Sequence, residues 1–347
     1  MTATIPLSQP NFRIRLSRIR MSRIRLLSLG LLAVFLLSII QGCDRGEEVV
    51  RVDMTKRKEI HLPERQPALT YAYLPQYSHT VSYHRHNPLI KYLSQETNLP
   101  IRQVFPNTFE EHLQMVKEGK IDISFSNPMV YIQLAQAGAR AFARIVEPSS
   151  GRPTFRGQII ARKDNPFITT LKDCAGKRWI AVDPLSAGGY LFDLGYFLDQ
   201  GITKDMFAKV DFAPGPAGKQ EKAILAVYAG KYDIASIREG SLDVVKKKID
   251  TSQIRILATT PAYPGWVYSA RSNLDPKKIT LIANALFRLS ANNPKQAAIL
   301  QAADMKDIIP TTDSDYDPIR LLAAHLGLFD PDETTSQPQS QSHGGTS

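Results

Sequence analysis

The chain has 347 residues and a formal net charge of +10, with 43% hydrophobic residues, 22% charged residues and 2 cysteines. Six of the positive charges are arginines within residues 1–43, a stretch without acidic residues, so the rest of the chain carries a formal +4. So small an excess is not typical of a nucleic-acid-binding protein. Beyond this stretch Cys174 is the lone cysteine, which excludes an internal disulfide there and predicts a buried thiol.

Residues 1–43 have the layout of a secretory signal. The arginine-rich start is followed by the apolar run Leu26–Ile40 and then by Gln41-Gly42-Cys43. The run is shorter than the roughly 20 apolar residues that a membrane span needs, and an uncleaved anchor helix is the alternative. The segment that ends at Cys43 resembles the lipobox of bacterial lipoproteins, which implies a lipidated Cys43. Asp44 follows, and in some bacteria an Asp there keeps the lipoprotein on the inner membrane.

Two polar segments flank a longer body. Residues 44–65 are highly charged and lack apolar periodicity, which predicts a tether. Residues 331–347 are polar and of low complexity, which predicts a disordered tail. The body between them has about 265 residues, enough for two lobes of ordinary size.

Strand and helix patterns alternate through this body. Strands are predicted at Leu69–Leu74, Ile101–Phe105, Ile121–Phe125, Ala141–Val146, Gln158–Arg162, Arg178–Val182, Val210–Ala213, Ile234–Ile237 and Ile254–Ala258. Helices are predicted at Pro88–Glu96, Thr108–Glu118, Pro128–Ala137, Tyr190–Gln200, Lys219–Ala229, Gly240–Lys248, Lys277–Ala291, Lys295–Ala303 and Pro318–Leu326. This alternation predicts an α/β fold with mainly parallel sheets.

One strand-to-helix turn has the composition of an anion site. The apolar run Trp179–Val182 stops at Asp183-Pro184, and Ser186-Ala187-Gly188-Gly189 then leads into the helix predicted at Tyr190. Free backbone N–H groups at a helix N-terminus bind anions, glycines allow a close approach to the backbone, and a serine adds a hydroxyl donor. Taken alone, the pattern fits a packed turn without a ligand equally well.

Six segments of the body form an ordered set of motifs. They are Tyr71–Leu74 with Pro75, Gly119–Pro128 with Tyr131, Ile159–Asp164, Leu171–Arg178, Asp183–Tyr190 and Asp313–Arg320. Together they resemble the phosphate/phosphite/phosphonate-binding (PhnD-like) proteins of ABC importers. The resemblance implies the type II periplasmic binding protein fold, with two mainly parallel-sheet α/β lobes, two crossovers and a ligand cleft between the lobes. Lobe one is then expected at 66–159 and 258–330, and lobe two at 160–257.

The resemblance also implies a function. We expect a lipid-anchored, monomeric solute-binding protein on the periplasmic or extracytoplasmic face. It would deliver a small oxyanion of phosphate, phosphite or phosphonate type to an ABC permease and its ATPase. The alternative is a ligand-sensing periplasmic subunit that signals to a membrane kinase or cyclase. The sequence shows no catalytic pair and no metal-ligand spacing, so no enzymatic activity, cofactor, metal site or nucleic-acid partner is expected.

Family members bind phosphonate oxygens through a Ser-Thr-Ser segment. Here Ser186 keeps the first hydroxyl, while Ala187 and Gly188 replace the other two. The backbone N–H groups of Gly188 and Gly189 can still donate. The predicted ligand-binding residues are Tyr73, Ser126, Asn127, Tyr131, Ser186, Ala187, Gly188, Gly189, Glu221 and Arg238.

Three of these residues have an open alternative. Tyr131 fits core packing as well as ligand contact, because apolar residues surround it on its predicted helix. Glu221 lies at a helix start, where a carboxylate also complements the helix dipole. Arg238 follows a strand, so it could grip an oxyanion bidentately or be a solvated loop charge.

Two aromatic residues and three histidines complete the candidates. Tyr263 and Trp266 are expected at the second crossover, packed between the lobes. His79, His84 and His86 are expected in one polar loop, as solvated side chains rather than metal ligands.

Overall fold

The structure, a computed structural model, describes residues 67–330. The predicted signal at 1–43, tether at 44–65 and tail at 331–347 lie outside the described residues, as do Cys43 and Asp44. Within residues 67–330 no helix combines the length and apolar character that a membrane span requires.

A six-stranded sheet forms the core of lobe one. Its strands, in spatial order, are β13 (Asp307–Pro310), β4 (Arg140–Val146), β12 (Val267–Ala270), β3 (Ile123–Ser126), β1 (Leu69–Tyr73) and β2 (Ile101–Gln103). The helices of this lobe are α1 (His79–Thr97), α2 (Phe109–Lys117), α3 (Pro128–Gln136), α7 (Pro276–Phe287), α8 (Pro294–Ala302) and α9 (Asp317–His325).

A five-stranded sheet forms the core of lobe two. Its strands, in spatial order, are β10 (Ile254–Thr259), β6 (Gly157–Arg162), β9 (Ile234–Arg238), β7 (Arg178–Ala181) and β8 (Lys209–Phe212). Its helices are α4 (Phe192–Asp199), α5 (Lys219–Tyr228) and α6 (Ser241–Val245). Cys174 lies buried in this lobe as predicted, and burial raises the pKa of its thiol to about 12.

The chain crosses between the two sheets twice. The crossing segments β5 (Thr154–Phe155) and β11 (Tyr263–Pro264) pair as a short antiparallel ribbon. The predicted two-lobe α/β fold is thereby confirmed. The lobe boundaries predicted after residues 159 and 257 fall inside β6 and β10, because the sequence does not mark where a crossing chain enters a sheet.

The expectation of mainly parallel sheets is wrong, since only four of the nine strand pairings in the two large sheets of the described chain are parallel. The strands that follow the crossings account for most of the difference. β6 and β12 each run antiparallel to both of their neighbours. A chain that returns from the other lobe enters the sheet in the opposite direction, which alternation of strands and helices alone does not reveal.

The three histidines expected in a polar loop lie on α1, so that prediction is wrong. The helix begins at His79, where the Ser78 hydroxyl caps it, and it continues through Pro88. His79 and His84 are exposed, whereas His86 is buried with its Nδ1 2.8 Å from the Tyr71 hydroxyl. Proline favours the first turn of a helix, so Pro88 predicts a helix start there, whereas the helix begins nine residues earlier.

Two buried histidines make the stability of the fold depend on pH. Burial, aided by Arg85 for His86, lowers the pKa values of His86 and His112 to about 3. In the unfolded chain both histidines protonate near pH 6.5. Their contribution to the free energy of unfolding is therefore complete above that pH and is lost as the pH falls towards 3. Urea unfolding at pH 7, 6 and 5 should show a falling free energy of unfolding, by up to about 1.4 kcal/mol per pH unit for each histidine.

His112→Gln should reduce this slope, because glutamine does not titrate in this pH range. Its side-chain amide can replace the imidazole in the 2.7 Å contact that His112 Nε2 makes with Ser124 Oγ. The exposed His84 provides the control, and His84→Ala should leave the slope unchanged. An unaltered slope in His112→Gln would contradict the assignment.

Candidate functional site

Two hydrogen bonds join the lobes at the ends of their strands. Asn127 follows β3 and caps α3 with its Oδ1, while its Nδ2 donates to the Leu185 carbonyl of lobe two at 3.0 Å. The Gly218 N–H of lobe two donates to the Gln76 carbonyl, just beyond β1, at 2.8 Å. The carboxyl ends of β1 and β3 therefore face lobe two across a cleft, where open α/β sheets commonly bind ligands.

The predicted anion turn lies on the lobe-two side of this cleft. Residues Ala187–Leu191 form a π-helical turn that leads directly into α4. Inside it, the Leu191 N–H donates to the Ser186 carbonyl at 3.0 Å, and the Phe192 N–H donates to the Ala187 carbonyl. The preceding N–H groups, at 187–190, belong to a helix N-terminus, which has no intrahelical acceptors for them.

The glycines of the turn also serve packing. A Cβ on Gly188 would lie 2.6 Å from Phe155 Cε2, and a Cβ on Gly189 would lie 2.5 Å from Val182 Cγ2. The turn is also tied to the sheet, because the Ser236 hydroxyl donates to the Gly189 carbonyl at 3.0 Å. The turn can therefore present N–H groups, while side chains of lobe two and the crossover cover its Cα atoms.

Arg238, at the end of β9, forms a buried ion pair with lobe one. Its Nη2 lies 2.6 Å from Glu147 Oε2, and the two side chains are 14% and 6% exposed. The guanidinium also lies 5.5 Å from the ring centre of Phe155 and 5.8 Å from that of Trp266. Burial lowers the pKa of Arg238, but nearby groups, Glu147 foremost, raise it more, so the net pKa lies above its ordinary value. Arg238 is thus a fixed cation rather than a solvated loop charge.

Four buried polar atoms beside these interlobe contacts have no hydrogen-bond partner. They are Ser126 Oγ, Trp266 Nε1, Arg238 Nε and Glu147 Oε1. Ser126 directly precedes Asn127, and Trp266 lies against the Arg238 guanidinium. Buried polar groups are normally hydrogen-bonded, so these atoms leave bonding capacity unused. The indole and guanidinium N–H groups can only donate, and the hydroxyl can donate as well.

Tyr73 lies at the end of β1, beside these contacts between the lobes. Its hydroxyl accepts a hydrogen bond from Gln76 Nε2 at 3.1 Å, and its ring centre lies 5.5 Å from that of Trp266. Burial raises the pKa of the Tyr73 hydroxyl, which therefore remains a neutral donor at physiological pH. Tyr263 packs near the second crossing, as expected, with its ring 4.3 Å from that of Phe192.

Two predicted site residues lie elsewhere. The Tyr131 hydroxyl donates to Asp313 Oδ1 at 2.5 Å, and the fully buried ring packs edge-on against Tyr316. Tyr131 is therefore a core residue of lobe one, which was its open alternative. Glu221 forms an ion pair with Lys248 on the outside of α5. The structure does not bring either residue to the cleft contacts.

Sequence reasoning missed two charged groups that the fold places here. Glu147 lies just beyond β4, and Lys219, at the start of α5, pairs with Asp183 in a largely buried contact. Lys219 Nζ also lies 6.0 Å from the Phe109 ring centre of lobe one. Their sequence neighbourhoods carry no signal, because each partner is distant along the chain. Within residues 67–330 no group of three histidine, cysteine or acidic residues could hold a metal ion.

A cavity of about 330 Å³ opens beside the Arg238–Glu147 pair. Tyr77, Arg85 and Asp304 of lobe one line it together with Arg238 and α6 of lobe two. The Arg85 guanidinium lies 4.4 Å from the Tyr77 ring centre, and its Nη1 lies 3.3 Å from Asp304 Oδ2. The cavity therefore holds a second cation near the buried pair.

Residues 71–316 match the family described as "ABC transporter, phosphonate, periplasmic substrate-binding protein". The chain belongs to this family. The phosphate-import protein PhnD of Mycolicibacterium smegmatis is 25% identical over 252 residues, 68% of this chain and 78% of that protein. The tetrathionate sensor histidine kinase TtrS of Salmonella typhimurium is 25% identical over 216 residues, 59% of this chain and 36% of the kinase. PhnD1 of Prochlorococcus marinus, solved with methylphosphonate, gives a TM-score of 0.67 at 16% identity over 76% of this chain and 99% of that one.

Membership in the phosphonate-binding family confirms three predictions. The chain is a periplasmic substrate-binding protein of an ABC importer, which works with a permease and an ATPase. Since such proteins are transport components, the prediction that it is not an enzyme is also confirmed. The shared fold of PhnD1 agrees with the two-lobe architecture.

Gly188→Ala should lower the free energy of unfolding by about 1–3 kcal/mol, because the added methyl overlaps the Phe155 ring. Urea unfolding would measure the loss. The penalty should be smaller in a Phe155→Leu background, in which the obstructing ring is absent, and a double-mutant cycle gives the coupling. Equal penalties in both backgrounds would show that the ring is not the obstacle.

Proposed function

We propose that this protein captures a small phosphorus oxyanion, of phosphate, phosphite or phosphonate type, between its lobes and delivers it to the permease. The relatives support the chemical class: one is a phosphate-import protein and another was solved with methylphosphonate. The cleft supplies the physical reason, since the groups whose hydrogen bonds are unmade there are mainly donors.

The observation that carries the proposal is the set of buried donors without acceptors. Ser126 Oγ, Trp266 Nε1 and Arg238 Nε each adjoin a contact between the lobes. Each hydrogen bond to a charged group contributes about 1.5–3 kcal/mol, so an oxyanion that satisfied them would hold the lobes together. The N–H groups at 187–190 would add donors from lobe two.

We assign ligand contacts to Tyr73, Ser126, Asn127, Ser186, the backbone at 187–189 and Arg238. The proposed site differs from the family's Ser-Thr-Ser segment at two positions, because Ala187 and Gly188 carry no hydroxyl. Backbone N–H groups, Arg238 and Ser126 would therefore contribute a larger share of the binding than the turn's side chains.

A thermal-shift screen of residues 44–347 tests the ligand. It would include phosphate, phosphite, methylphosphonate, 2-aminoethylphosphonate and sulfate. At least one phosphorus oxyanion should raise Tm in a concentration-dependent manner, because a ligand that binds only the folded state stabilises it. The absence of a shift with every phosphorus oxyanion would overturn the proposed ligand class.

Ser126→Ala should weaken binding of the active anion about tenfold, which corresponds to the loss of one hydrogen bond of about 1.4 kcal/mol. Isothermal titration calorimetry would measure Kd. Glu221→Gln is the control, because Glu221 pairs with Lys248 outside the cleft and its replacement should leave Kd unchanged. Equal effects of the two substitutions would argue against a role of Ser126 in the site.

We further propose that the mature protein is a monomer held on the membrane by lipid on Cys43, with Asp44 favouring the inner membrane. Wild-type protein from cells grown with radiolabelled palmitate should carry the label, and Cys43→Ser should not. Cys174→Ser is the matched control and should remain labelled, since Cys174 is buried in the folded body. Equal labelling of Cys43→Ser and the wild type would exclude Cys43 as the lipidated residue.

The sensing alternative is less well supported. TtrS is a sensor kinase, but the similarity covers only 36% of its length. The family match over residues 71–316 describes a transporter component. We therefore propose transport and not signalling.

A further inference from the structure

The carboxylate of Glu147 is paired with Arg238, the cation that an oxyanion in this cleft would bind. Glu147 comes from lobe one and Arg238 from lobe two, and their 2.6 Å contact is nearly closed to solvent. A carboxylate presents two oxygens to a guanidinium much as a phosphorus oxyanion does. Glu147 and an oxyanion ligand would therefore bind the same guanidinium, that of Arg238.

The pair is incompletely satisfied. Glu147 Oε1 and Arg238 Nε are both buried without a hydrogen-bond partner. Burying two charges costs solvation, and the mutual attraction repays that cost only when the remaining hydrogen bonds are also made. An anion that reaches both Nη2 and Nε of Arg238 would make a better partner than the single contact of Glu147.

A displaced Glu147 has a second cation within the same cavity. Arg85 lines the cavity of about 330 Å³ together with Glu147. Its side chain is 24% exposed, and its contact with Asp304 is 3.3 Å, longer than that of Arg238 with Glu147. The cavity thus offers space and the Arg85 guanidinium to a carboxylate that leaves Arg238, beside the acidic Glu239, Asp243 and Asp304 of its lining.

We propose that Glu147 is an internal competitor of the ligand for Arg238, and that Arg85 receives its carboxylate when the oxyanion binds. The proposal rests on the proposed function, because it concerns the same cleft and ligand class. Glu147 then sets the affinity: every bound anion must first break the interlobe ion pair. Removal of the competitor tightens binding, and removal of the receiving cation weakens it.

Isothermal titration of residues 44–347 with phosphate and with methylphosphonate tests this. Glu147→Gln should bind at least one of them about tenfold more tightly than the wild type. Arg85→Gln should bind it about threefold more weakly. In the double variant Arg85→Gln should have no further effect, since no carboxylate needs to be received.

Glu239→Gln is the matched control, because Glu239 lines the same cavity but makes no ion pair with Arg238. Its affinity should change by less than about threefold, which separates competition from a general loss of negative charge. Glu147→Asp keeps the charge but is too short for the 2.6 Å contact, and it should bind about threefold more tightly. If Glu147→Gln does not fold, the affinity of Glu147→Asp tests the competition instead.

The outcomes separate the two proposals. Wild-type binding without tightening in Glu147→Gln or Glu147→Asp overturns the competition and leaves the proposed function intact. Equal tightening in Glu239→Gln and Glu147→Gln also overturns it, because the effect is then a general one of charge. Absence of binding by the wild type and every variant overturns the proposed function and the competition together.

Discussion

The ring of Phe155 connects the crossover to the cleft. It lies on β5, and its packing fixes three parts of the molecule: the turn at Gly188, the Arg238 guanidinium and Phe192 at the start of α4. Tyr263 on β11 stacks on Phe192 as well. Both crossing strands thereby contact lobe two through aromatic rings, and Phe155, Phe192 and Tyr263 also pack with the hydrophobic core of lobe one.

Charge in the cleft is arranged as compensated pairs. Arg238 pairs with Glu147 and Lys219 pairs with Asp183, and all four side chains are largely buried. The field that an anion meets is therefore weaker than the two cations alone would produce. Uncharged donors, such as Trp266 Nε1 and the turn's N–H groups, therefore contribute a larger share of anion binding, because no acidic side chain is paired with them. Specificity in such a site depends on geometry more than on net charge.

Local patterns were sufficient to predict the architecture and the turn, but not the contacts that complete the site. The alternation of elements and the six motifs predicted the two lobes, and Asn127 lies where its motif placed it. The beginning of α1 was missed because Pro88 resembles a helix start. β12 and β13 were missed because proline, which weakens a strand pattern, comes shortly before β12 (Pro264) and at the end of β13 (Pro310). Glu147 could not be found, since its partner is 91 residues away and only the folded chain brings them together.

Gly188 stands where family members carry a serine, and its packing against Phe155 restricts which residues can replace it. A Cβ at 188 would lie 2.6 Å from the Phe155 ring, so a residue larger than glycine there requires the ring to shift or to be replaced. The two positions are therefore coupled: a serine at 188 costs less stability once the aromatic ring has been replaced. Relatives with the hydroxyl-rich turn should carry a smaller residue at the position of Phe155, and the two positions should covary. The missing hydroxyl at 188 is thus linked physically to the aromatic side chain of the crossover.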